Sequence, residues 1–112
     1  MTSIKYMIDL PKIVTDTYEK YFGRTEESVQ LFNSLLEDNN IKEGSNSDSD
    51  IFIAGVMLCT LLNNNKIFSA RDSVSFLKSI PNIDFEAVAA EKSMTADEMF
   101  YSIEDFLSIS HE

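Results

Sequence analysis

Twelve consecutive residues, Ile51-Phe-Ile-Ala-Gly-Val-Met-Leu-Cys-Thr-Leu-Leu62, carry no charge. As a helix this segment is apolar on every side, so other elements must cover it all round. It is too short to span a bilayer, which takes about 20 apolar residues. The segment therefore predicts a central core helix, and the rest of the chain must supply its cover.

Three Gly and two Pro in 112 residues are few for an all-β or loop-rich scaffold, whereas helices joined by short polar links need few turn residues. The length suits one domain with one core. Helical signals recur on both sides of the central segment. Asp9-Leu10-Pro11 reads as a cap followed by a first-turn proline, and Ile13, Val14, Tyr18, Tyr21 and Phe22 make one apolar stripe that Gly23 ends. Thr25 can cap a second helix that buries Val29, Phe32, Leu35 and Leu36. Residues 38–49 form a polar loop, expected to be flexible, and Asp48, Ser49 or Asp50 can cap the central helix. Asn63-Asn64-Asn65 ends that helix, since Asn tolerates the left-handed conformation, and Gly55 permits a close crossing. Ser69 and Asp72 open a fourth helix with Val74, Leu77, Phe76 and Ile80 inward and Pro81 at its exit. A fifth runs from about Asp84 to Lys92. Thr95-x-x-Glu98 is a capping box opening a sixth, which runs to about Ile109 with Met99, Ile103, Phe106 and Leu107 buried. Met1 to Ile8 alternates like a strand with nothing to pair with, and reads as an extended arm or an irregular turn. The expectation is an all-α, single-domain bundle of five to six short helices, residues 1–112, around the central helix 51–62.

Charge is unevenly spread. The formal net charge is −10. Residues 84–112 hold eight acids against the single base Lys92, so −7 of it lies in the last quarter. Such a surface repels nucleic-acid phosphate and anionic membranes and attracts a basic partner. Within that quarter, Asp97 and Glu104 are seven residues apart, as are Glu98 and Asp105, so each pair shares a helix face two turns apart. Tyr101 lies between Glu98 and Asp105 at neighbour spacing. Together with Glu91 these five are the candidate partner-binding residues: carboxylates around an aromatic suit an Arg-rich surface.

Residues 84–107 resemble the helix-turn-helix motif. Ala89 matches its small residue in the first helix, Ser93 the small residue at the turn, Met94 the apolar residue after it, and Met99 and Ile103 later apolar positions. The resemblance implies two helices crossing closely. A DNA-reading member would carry Arg, Lys, Asn or Gln on its second helix, but residues 95–107 hold no Lys or Arg.

Other chemistry finds little footing. Residues 39–50 fail as a calcium loop: with Gly44 in the invariant position, Ile41 falls on a ligand site and Asp50 replaces the bidentate Glu. The only His is His111, beside the C-terminus, so a pocketed Ser-His or Cys-His pair is not expected. Cys59 is alone and sits in the most apolar segment, where it behaves as a small hydrophobe. It suits a reducing cytoplasm, and the first residues lack a signal peptide's apolar region. Tyr18, Tyr21 and Phe22 with Lys20 and Arg24 form a basic aromatic corner that reads as core packing beside solvated charges.

The sequence thus predicts a non-enzymatic protein without metal or cofactor. It would bind a basic protein, such as a nucleic-acid-binding enzyme or a toxin, and inhibit it in the manner of an immunity protein, an antitoxin or an anti-defence factor, with nucleic-acid mimicry as a sharper form. Direct binding to nucleic acid or membrane is not expected, and homo-oligomers are compatible. The alternative is a transcription-associated factor using the helix-turn-helix-like corner.

Overall fold

The computed structural model describes residues 5–109, and among them the chain forms six helices and no strand. They are α1 (Lys12–Phe22), α2 (Glu26–Asp38), α3 (Asp48–Asn64), α4 (Ala70–Lys78), α5 (Phe85–Ala90) and α6 (Ala96–Ile109). The all-α reading holds. α3 packs against α1, α2, α4 and α5, while α6 lies on α4 and α5.

Local chemistry sets the helix starts. Thr25, Ser47, Ser69, Asp84 and Thr95 each accept a backbone N–H of the first turn. Ser69 with Asp72 and Thr95 with Glu98 make complete reciprocal boxes. Two expected caps are corrected. α3 begins earlier than expected: Ser47 caps it, and Asp48 and Asp50 lie in its first turn, where acids suit the helix dipole. α1 has Pro11 at its cap position with no side-chain cap. Asp9 is drawn away, its N–H donating to the Ser45 carbonyl at 3.2 Å.

The helix ends follow a second rule. Asn40, Lys66 and Ser93 have φ near +60°, and each sits just before an apolar residue: Ile41, Ile67 and Met94. The N–H of that apolar residue reaches back to Leu36, Leu62 and Ala89 respectively, at 2.8–3.1 Å. This is the Schellman closure. At the end of α3 the left-handed residue is Lys66, and not one of the three Asn expected there. Asn63 is instead buried, its amide donating to the Phe68 carbonyl at 3.2 Å. Gly23 does take positive φ, but at φ 93° and ψ 173° it lies in a region outside the left-handed helix that essentially only glycine adopts.

The core gathers Val14 and Tyr18 of α1, Phe32 and Leu36 of α2, Leu58, Cys59 and Leu62 of α3, and Leu77 of α4, all fully buried. The Tyr18 hydroxyl donates to the Ser28 carbonyl at 2.6 Å. Among the described residues no buried side-chain nitrogen or oxygen lacks a hydrogen-bond partner. Gly55 lets α3 pass close to α4 and the residues after it: a β-carbon there would stand 2.9 Å from Ile80 Cδ1 and 3.0 Å from Leu77 Cδ2.

The first described residues run as a non-helical arm. Met7 accepts the Gly44 N–H at 2.7 Å, and the Asn33 amide clasps the arm by accepting from Met7 N and donating to Lys5 O. Met1 to Ile4 lie outside the described residues. Between α2 and α3, Ile41 is buried in the core.

Candidate functional site

The turn of residues 91–95 positions α6. Ala89 is fully buried where α5 meets α6, and Ser93 takes the left-handed conformation that lets the chain reverse within one turn. Thr95 and Glu98 then start α6 with their reciprocal box, at 2.9 and 3.1 Å. The Thr95 N–H, with its hydroxyl, holds the Glu98 carboxyl below the usual carboxylate range.

The inner face of α6 is Ala96, Met99, Phe100 and Leu107, with Ile103 half-buried. Phe100 packs edge-on against Phe52 of α3 (5.9 Å between centroids) and Phe85 of α5 (5.3 Å), locking three helices together. Phe106, expected in the core, is corrected. It follows one residue before Leu107, about 100° around the helix, and that rotation carries it outward.

The outer face carries the candidate residues. Asp97, Glu98, Tyr101 and Asp105 are exposed and Glu104 is half-buried, so α6 displays them together. Glu91 stands apart. It is exposed, but its carboxylate accepts the Ser49 hydroxyl of α3, next to the place where Asp48 accepts the Asp84 N–H at 3.0 Å. It belongs to the junction of α3 with α5.

Sequence reasoning found Tyr101 among those acids but missed its apolar neighbours Phe106 and Ile109. Tyr101 is 70%, Phe106 55% and Ile109 59% exposed, and with Ser102 and Asp105 they border one shallow depression on α6. A contiguous exposed apolar patch carries more information than a lone exposed residue. A second feature lies beside it, a groove of about 370 Å³ between α3 and α6 walled by Ile53, Val56, Met57, Met94, Met99 and Ile103. Ser102 borders both. The signal for the groove was the uninterrupted apolar girth of 51–62. The other five helices do not cover it completely, and Ile53, Val56 and Met57 stay half-buried.

Other reactive groups are committed elsewhere. Cys59 is buried, its Sγ donating to the Ser73 carbonyl at 3.6 Å, and burial pushes its thiol up to about 12. Tyr6 donates to Glu19 at 3.0 Å, and burial followed by that carboxylate raises its hydroxyl above the ordinary range. The basic aromatic corner is internally satisfied: Arg24 lies 3.4 Å from Glu19, Lys20 sits over the Tyr21 ring, and Tyr18 stacks on Phe22 at 5.0 Å. His111 lies outside the described residues. Among the described residues no three His, Cys, Asp or Glu side chains come together as metal ligands, and no helix is long and apolar enough to cross a membrane. Comparison with protein-family models, with curated proteins and with solved structures finds no match to this chain.

Proposed function

We propose that this chain is a non-catalytic protein-binding module of the cytoplasm that neutralises a basic partner protein, in the manner of an immunity protein, an antitoxin or an anti-defence inhibitor. The observation that carries the reading is the outer face of α6, where Tyr101, Phe106 and Ile109 stand in solvent among Asp97, Glu98 and Asp105. Fully burying one large apolar side chain is worth about 1.5–3 kcal/mol, and the fold leaves more than half of each of three such side chains on one helix uncovered. An aromatic anchor ringed by charge is the composition of an interface hot spot. The surrounding carboxylates favour a partner rich in Arg or Lys, including one whose usual ligand is nucleic acid.

The test is capture from the native host with the tagged chain and with its Glu98→Lys/Asp105→Lys variant, read by mass spectrometry at low and high salt. A basic prey is expected whose capture falls with salt and is lost with the double reversal. Capture that survives the reversal unaltered sinks the reading. The α5–α6 corner, with Ala89 buried and Ser93 left-handed, favours a second reading as a transcription-associated factor. Tight, sequence-dependent retardation of DNA by the purified chain at low salt would select that one instead.

A further inference from the structure

The groove between α3 and α6 has an apolar floor. Its walls present Ile53 and Met57 one turn apart on α3, faced by Met99 and Ile103 one turn apart on α6, with Met94 at one end. Methionine supplies three of its side chains, and that unbranched thioether re-packs against differently shaped guests. Through Ser102 the groove opens onto the depression beside Phe106 and Ile109. The α6 residues of the groove and of that depression together run from Met99 to Ile109, roughly 15 Å at about 1.5 Å per residue, about three turns of a second helix.

Backbone chemistry selects the guest's conformation. A strand laid in this groove would bury its own N–H and C=O groups against Ile, Val and Met, with no sheet edge among the described residues to pair them. A helix brings its backbone hydrogen bonds with it and needs only an apolar stripe at i, i+3, i+4 and i+7. Charge selects the guest's polar face. Lys92 is the one charged residue in the groove lining. Flanking Ser102 on the exposed side of α6 stand Glu98, four residues before it, and Asp105, three residues after it. A second copy of this chain is disfavoured by the same acids, since each copy carries −10.

We propose that the α3–α6 groove receives a basic amphipathic helix of the partner, with its apolar stripe on the methionine-rich floor and its Lys and Arg against Glu98 and Asp105. This rests on the protein-binding reading above and adds to it a place and a form for the partner.

The probe is a labelled synthetic helix with Leu at i, i+3, i+4 and i+7 and Lys and Arg elsewhere, alongside a twin in which Glu replaces each base. Fluorescence anisotropy with the intact chain should show binding of the basic helix, weakening as salt rises, and none of the acidic twin. With methionine methyls labelled for NMR, the resonances of Met57, Met94 and Met99 should shift and that of Met7, on the arm, should not. Ser102→Arg, at an exposed position, should weaken the basic helix by at least about tenfold. Val56→Asn, checked for folding by circular dichroism, provides a second block. Equal binding of both helices overturns the proposal, as does indifference to both blocks, or a dimer in sedimentation that Ser102→Arg dissolves. A native partner lost on Glu98→Lys/Asp105→Lys but indifferent to Ser102→Arg and Val56→Asn would overturn the groove and leave the acidic face standing. The absence of any charge-dependent partner would remove both.

Discussion

At Gly55 the crossing of α3 and α4 leaves no room for a β-carbon, but the obstructing atoms are the terminal methyls of Ile80 and Leu77, which can turn aside. Alanine therefore meets two opposed effects. It gains about 1 kcal/mol of helix propensity over glycine and loses a similar amount in displaced methyls. Gly55→Ala should change stability in urea by less than about 1 kcal/mol. Gly55→Val adds two methyls that rotation cannot clear and should cost about 1–3 kcal/mol. The glycine was legible in the sequence as a helix-crossing residue, because a glycine inside an apolar helix needs a packing reason. Phe106 was not. Placing it in the core needed the exact phase of α6, which Phe100 sets by docking on Phe52 and Phe85, elements 15 and more residues away in the chain. Once Phe100 points in, the residues after it are fixed, and Phe106 points out.

Helix by helix, starts were more legible than ends. The boxes Ser69-x-x-Asp72 and Thr95-x-x-Glu98 are local in sequence and local in structure. Asp9 failed as a cap because its backbone is held by Ser45, a contact no local pattern contains. Three helices end on Schellman closures, yet only Asn40 is a residue that tolerates the left-handed position readily. Lys66→Gly and Ser93→Gly should each stabilise by about 0.5–1 kcal/mol, the relief of strain exceeding the extra freedom of the unfolded chain, and Asn40→Gly should gain less. Thermal or urea unfolding of the three variants checks the order. Glu98 adds a pH signature. Its folded-state value is depressed, so its contribution is present above the ordinary carboxylate range and is lost as pH falls through the folded value. The stability gap between the wild type and Glu98→Gln, which keeps an acceptor without the charge, should be open at neutral pH and narrow as pH falls below the ordinary carboxylate range. As for the candidate site, its acids could be read from spacing alone. Tyr101 could be read in the same way, but Phe106, Ile109 and the groove could not, because an apolar helix does not say which of its sides the fold will leave uncovered.

For the molecule as a whole, nineteen acids against nine bases leave the folded state under self-repulsion. Screening should relieve it, so the melting temperature should rise as sodium chloride is raised from about 0.01 M to 0.15 M, over which the Debye length shrinks from about 30 to 8 Å. A partner that needs the acidic face would show the opposite trend in its affinity, and the two titrations together separate folding from docking. The buried thiol adds a clock to this picture. Cys59 faces Ser73 across the seam between α3 and α4, fully enclosed and held protonated. A thiol reagent should leave it untouched in the native protein and label it only when that seam parts. Its labelling rate then counts the openings of the central helix, with no mutation and no competing cysteine, and any guest that bridges α3 to α6 should slow the count.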